Sequence, residues 1–163
     1  MILGMTPLLF VHVAISLIAI AAGLVVLSAL LKGTLARGWT GAFLATTVAT
    51  SVTGFLFPFN GFTPALGVGV ISMIILAAAI AARYAFHLAG AWRGVYVVTA
   101  ITALYLNVFV LVVQAFQKVA ALNALAPTGS EPPFAAAQGA VLLLFIIAGV
   151  FSFRRFQPGV VSA

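Results

Sequence analysis

The chain has no cysteine and no aspartate, and Glu131 is the only carboxylate side chain in its 163 residues. Without thiols there is no disulfide, thiolate metal site, iron–sulfur cluster or cysteine nucleophile to consider. Without a second acid, a carboxylate metal site and a Ser-His-Asp triad both lack members. A proton-coupled carrier that works through a buried carboxylate has no group to carry its proton. A retinal-type Schiff base needs a lysine inside an apolar span, and Lys32 and Lys118 both stand at span ends. These absences leave no signature of catalysis, so the expectation leans away from an enzyme, and no cofactor is implied by composition.

Charge of either sign is scarce, at 5% of residues, while 65% are hydrophobic; an ordinary soluble domain carries about 25% charged residues. With a mean hydropathy of +1.33, the chain has too little polar surface to dissolve, and its partner is the lipid bilayer. The apolar residues fall into five runs, at about 8–31, 39–57, 66–87, 95–117 and 135–153, each near the length that crosses a hydrocarbon core of about 30 Å at 1.5 Å per residue. The expected fold is all-α, a single domain formed by a bundle of five transmembrane helices. The first run follows an uncharged MILGMTP; it lacks the basic flank and short apolar region of a cleaved signal, so it reads as a retained helix. A four-span alternative would make one run re-entrant at FPFN.

The seven basic residues give a net charge of +6, which in a soluble protein would suggest nucleic acid. Here they lie in short segments between apolar runs, forming no continuous groove for a phosphate backbone, so no nucleic-acid partner is expected. Lys32, Arg37, Arg83, Arg93, Arg154 and Arg155 fall on one side of a five-span bundle, and only Lys118 falls on the other, with Glu131. The positive-inside rule then places the amino terminus outside and the carboxyl terminus in the cytoplasm. The segment from Lys118 to Phe134 holds three prolines and reads as an outer loop, with VAALNALA as a candidate short surface helix.

Polar residues inside spans are the usual pointers to function. In the first span His12, Ser16, Ala19 and Gly23 share one narrow face. In the fourth, Thr99, Ala103, Asn107, Val110, Gln114 and Gln117 share another, expected to meet the bundle interior. On the derived topology His12, Gln114, Gln117, Asn60 and Gln138 belong to the outer half. The candidate ligand-binding set is therefore His12, Asn107, Gln114, Gln117 and Gln138, with His12 and Gln114 as neighbours in an outward pocket and a carbonyl-bearing head group as the ligand type. Against it stands the plainer reading that amides, hydroxyls and one histidine simply hydrogen-bond helices to each other.

Two histidines raise the possibility of haem, but His12 lies near the outer end of the first span and His87 closes the third at the other face. At 1.5 Å per residue they differ by roughly 20 Å in depth, too far for one iron; only His12 from two protomers could meet. Trp39 and Trp92 fall at the predicted cytoplasmic boundary, where indoles settle, and Phe55, Phe57, Phe59 and Phe62 read as an outer aromatic belt.

The stretches TTVATSVTGFLFPFNGFTPALGVG, LYLNVFVLVVQAFQK and ALAPTGSEPPFAAAQG together resemble small uncharacterised multi-span inner-membrane proteins of proteobacteria, over about residues 40–140. The resemblance implies a bacterial inner-membrane location and supplies no activity. Small residues at Ala77, Ala78, Ala81 and Ala82, and at Ala135 and Gly139, would let helices approach closely. The functional expectation is an oligomeric or accessory subunit of a membrane complex. The alternatives are a carrier or channel for a small neutral or anionic solute, using Asn107 and Gln114, and a quinone- or haem-binding redox protein around His12.

Overall fold

A computed structural model describes residues 6–58, 61 and 63–157. Among them there is no strand. Six helices follow in order: α1 (Pro7–Leu31), α2 (Arg37–Phe55), α3 (Pro64–Ile80, continued by a π-helical turn over Ala81–Ala85), α4 (Trp92–Lys118), α5 (Ala120–Leu125) and α6 (Pro132–Arg155). Four of them, α1, α3 with its π turn, α4 and α6, are long and apolar enough to cross a membrane. The fifth long helix, α2, has 19 residues and is diluted by its threonines, glycines and Arg37. The short α5 occupies the VAALNALA segment. Asn60, Phe59 and Phe62, assigned by sequence to the outer pocket and aromatic belt, lie outside the described residues.

Local chemistry sets the helix ends. Thr6 and Thr63 each accept a hydrogen bond from the backbone amide three residues on, and each is followed by a proline at the first helical position, where the missing N–H costs nothing. At the other end of α1, Gly33 takes φ +76°, and a Cβ there would lie 2.9 Å from the Arg155 carbonyl oxygen. The hairpin between α3 and α4 turns over residues 86–91, about three residues earlier than AGAWRG suggests. His87 and Leu88 adopt positive φ of 51° and 59°, a strained conformation for side-chain-bearing residues. Burial of Leu88 in the core and the parallel stack of Phe86 on Trp92, with centroids 3.8 Å apart, hold the strained turn in place.

Helices α1 to α4 close a ring in which each packs on the next and α4 returns to α1, while α6 lies outside against α4 and α1. Contacts across the bundle fix the directions. His12 near the start of α1 meets Thr53 near the end of α2, so those two are antiparallel. Thr40 meets Tyr96 and Thr47 meets Asn107, so α2 and α4 run the same way on opposite corners of the ring. Arg155 donates to the Leu31 carbonyl at 3.2 Å, and Arg93 donates to the carbonyls of Phe153 at 2.9 Å and Phe156 at 2.5 Å. These bonds gather the ends of α1 and α6 and the start of α4 at one basic end. Guanidinium donors there satisfy the last carbonyls of two helices.

Packing is uneven along the bundle. The buried core is drawn from the basic-end halves: Ala22, Val26 and Leu30 of α1, Phe43 and Leu44 of α2, Leu76, Ala79 and Ala82 of α3, Tyr96 to Leu104 of α4, and Phe156. Towards the opposite end the facing side chains of α1, α2 and α4 are mostly half-buried. Helix α6 contributes only Ser152 to the buried set.

Candidate functional site

On α2, Thr40 and Thr47, seven residues apart, share the face towards α4, and Thr53, six residues further on, is turned about 120° from Thr47, towards α1. The hydroxyl of Thr47 donates to the Phe43 carbonyl at 2.7 Å and that of Thr53 to the Ala49 carbonyl at 2.8 Å. With its single hydrogen spent on its own backbone, each hydroxyl offers only lone pairs to other helices. Asn107 Nδ2 of α4 donates to Thr47 Oγ1 at 3.2 Å, and His12 Nδ1 of α1 stands 2.8 Å from Thr53 Oγ1. At the basic end Thr40 and Tyr96, both fully buried, share a 3.2 Å hydroxyl–hydroxyl bond.

The geometry assigns the imidazole tautomer. If Nδ1 carries the proton, the bond to Thr53 and the bond from Thr53 to Ala49 both form; with the proton on Nε2, the hydroxyl can serve only one of the two acceptors. His12 therefore donates through Nδ1 and presents Nε2 as a lone pair. The ring is held edge-on against Phe57, with centroids 5.2 Å apart, and lies beside Gly54, where a Cβ would stand 3.6 Å from its Cε1. One turn deeper, the Thr50 hydroxyl is buried without a partner among the described residues.

The residues singled out by sequence separate into three groups. His12 and Asn107 are half-buried and engage α2, while Ser16 turns back to donate to the His12 carbonyl at 2.7 Å. Gln138 is half-buried and donates from Nε2 to the Phe109 carbonyl at 3.1 Å, clamping α6 to α4. Gln114 and Gln117 are exposed, so the interior face expected for the whole α4 stripe holds only as far as Val110. The physical reason lies at that end of α4, where Phe116 is the buried residue and packs edge-on with Phe134, 5.4 Å between centroids. The covered side of the helix has changed, and two amides near its end are left outward. Helices α1 and α4 are adjacent, but His12 turns to α2 rather than to Gln114.

Opposed axial histidines do not assemble within the chain, since His12 and His87 stand at opposite ends of the bundle. Among the described residues no group of three His, Cys, Asp or Glu side chains forms a metal site. From sequence the hydroxyls of α2 are expected to bond their own backbone or a neighbouring helix; what sequence reasoning missed is that their partners are Asn107 and His12. The signal in the sequence is the recurrence of Thr47, Thr50 and Thr53 every three residues along α2.

In the connection between α5 and α6, Glu131 accepts from the Thr128 amide at 3.0 Å, the Thr128 hydroxyl at 2.9 Å and the Ser130 amide at 3.0 Å. These donors, the Thr128 amide first, hold its carboxyl down to about 2. A depressed folded pKa means the clasp is fully present above the ordinary carboxylate range and is lost as pH falls through the folded value. The protection of the Thr128 and Ser130 amides, measured against their intrinsic exchange rates at each pH, is expected to hold from pH 7 to about 4 and to fall towards pH 2. Glu131→Gln should show little protection throughout. Equal protection in both proteins would show that the carboxylate does not order the turn.

No family model, curated protein or solved structure matches the chain.

Proposed function

We propose that this is a five-pass bacterial inner-membrane protein, amino terminus outside and carboxyl terminus cytoplasmic, that works as an oligomeric or accessory subunit rather than as an enzyme. The observation that carries the subunit role is the outer half of α6. Ala135, Ala136, Gly139 and Ala140 are all exposed there, and a Cβ added at Gly139 would meet nothing within 4 Å. Small residues on an open helix face allow a second helix to approach closely, which bulky lipid-facing residues would prevent. Supporting the fifth pass, α2 has 19 residues and is laced to α1 and α4 along its length. Its length of about 28 Å at 1.5 Å per residue matches the hydrocarbon core. Supporting the orientation, six of the seven basic residues fall on one side under that count.

Gly139→Leu is expected to shift the protein from an oligomer, or a complex with another membrane chain, towards the single chain in native mass spectrometry from mild detergent, with little change in helix content. A wild type that runs as a single chain would end the subunit reading. The chain has no cysteine, so single introduced thiols test topology: one at Gly129 should label from the periplasm with an impermeant reagent, and one at Gln157 should not. Labelling of both from one side would end the five-pass count.

A second reading is favoured by His12, whose Nε2 lone pair and the unpartnered Thr50 hydroxyl are both on the outer half. Together they suit a small head group bearing a hydroxyl donor, such as a quinol. The solute-carrier reading has less support, because Phe43, Leu104, Tyr96 and Phe156 fill the basic-end half of the ring.

A further inference from the structure

On the outside of the ring, α4 and α6 leave an open furrow between them. At the basic end it widens to about 510 Å³ beside Gly90, Arg93, Gly94, Val98 and Phe153. From Val98 it continues for a further 320 Å³ along Thr102, Leu142, Ile146 and Gly149 to Tyr105, whose ring meets Phe145 and closes the top. From Arg93 to Tyr105 the helix rises about 18 Å, slightly more than half of a hydrocarbon core of about 30 Å. The furrow is thus one leaflet deep, apolar along its length and charged only at its mouth.

The chemistry at the mouth favours an anion. Arg93 spends Nη1 on the carbonyls of Phe153 and Phe156, which leaves Nε and Nη2 with donors to spare. The first turn of α4 begins at Trp92 with no side-chain cap, and among the described residues no group accepts from the amides of Arg93 or Gly94. A guanidinium beside uncapped helix N-terminal amides is phosphate-binding chemistry. Lys32, Arg37, Arg83, Arg154 and Arg155 share this end, with no acidic side chain beside them among the described residues.

We propose that the furrow between α4 and α6 holds an anionic phospholipid of the basic-end leaflet, with its phosphate at Arg93 and the first amides of α4 and one acyl chain running past Val98 and Gly149 towards Tyr105. An aqueous anion would use the mouth and leave the apolar length unexplained, and a zwitterionic lipid would fill the length without using the charge. The site is separate from the small-residue patch on the outer half of α6, so oligomer formation and lipid binding can fail independently.

The test titrates the delipidated full chain in neutral detergent with phosphatidylglycerol, with phosphatidylcholine of the same acyl chains, and with inorganic phosphate, following bound mass by native mass spectrometry and thermal unfolding in parallel. Phosphatidylglycerol is expected to bind about fivefold more tightly than phosphatidylcholine, the factor that one basic residue at a membrane surface supplies. Arg93→Gln, which drops the charge, should erase that preference. Gly149→Leu should weaken both lipids, because a Cβ at Gly149 sits 3.9 Å from Ile101 and the rest of a leucine side chain would occupy the furrow without touching the mouth. Equal affinity for the two lipids, full stabilisation by inorganic phosphate alone, or unchanged lipid binding in Gly149→Leu would each overturn the proposal. Dissociation of an oligomer by Gly149→Leu would overturn it too, by showing a second copy in the furrow. If Arg93→Gln does not fold, the Gly149→Leu arm and the lipid comparison still decide.

Discussion

Gly23→Ala is expected to destabilise the bundle by about 1–3 kcal/mol, and Gly23→Leu to prevent its recovery as a folded protein. A Cβ at position 23 would lie 2.4 Å from Leu104 Cδ1 and 2.9 Å from Phe43 Cε2. Both neighbours are the far ends of side chains, which elsewhere could swing aside. Here each belongs to a residue only 1% exposed, packed among Val26, Leu44 and Val97 of the same core, so movement of one displaces the next. Gly38 of α2 provides the control: a Cβ there meets nothing within 4 Å, and alanine at an unhindered helical glycine is neutral or slightly stabilising. Thermal unfolding in detergent, followed by circular dichroism, should give a clear fall in Tm for Gly23→Ala and none for Gly38→Ala. The outcome bears on function, because the contact of Gly23 with Leu104 and Phe43 is where three corners of the ring close. An unchanged Tm in Gly23→Ala would mean that the basic-end half is loose, and a solute path through the ring would regain standing.

How far the sequence revealed this arrangement depends on which physical signal each element leaves in one dimension. Helix existence was legible, because a bilayer demands long apolar runs and the chain ends them with proline or basic residues. The expected starts at about 8, 66 and 135 fall one to three residues inside the observed ones at Pro7, Pro64 and Pro132, because the prolines read as loop are the first residues of their helices. The weak element was α2, whose threonines lower its apolarity for the reason that makes it useful: their hydroxyls bind their own helix and offer acceptors to α1 and α4. Periodicity placed His12 and Asn107 towards protein, as found, and also assigned Gln114 and Gln117 inward, which the structure corrects. A helical wheel assumes one covered face along the whole helix, whereas α4 is covered by the ring through Leu104 and by the α6 side at Phe116. No local signal reports that change of neighbour. Nor could spacing show that α6 would stand outside the ring, since its apolar run differs little from that of α1; only the packing reveals that α1 buries Ala19, Ala22, Val26 and Leu30 while α6 buries Ser152 alone.

Any small polar ligand of the half opposite the basic end is expected to be lost on His12→Leu and to lose its selectivity on Thr53→Val. The argument turns on which nitrogen is free. Carrying the proton on Nδ1 lets His12 donate to Thr53 while Thr53 donates to the Ala49 carbonyl, so Nε2 faces its surroundings as an acceptor. An acceptor recognises a hydroxyl, which reverses the choice of a carbonyl-bearing head group made from residue type alone. The quinol form of a short-chain quinone should therefore bind at least about tenfold better than the quinone, the ratio expected from one added hydrogen bond against an unmatched pair of lone pairs. In Thr53→Val the isosteric side chain keeps the packing but removes the acceptor that fixed the tautomer. The imidazole can then present either nitrogen as donor, and the preference for quinol should collapse. Nitrogen-15 NMR of the labelled histidine reports the tautomer directly, and competition between quinol and quinone, held apart by an anaerobic reductant, reports the selectivity. A histidine protonated on Nε2 in the wild type, or a preference for quinone that survives Thr53→Val, would refute this site. If neither form binds while the tautomer is as assigned, the Thr53–His12 bond serves only to pin α1 to α2.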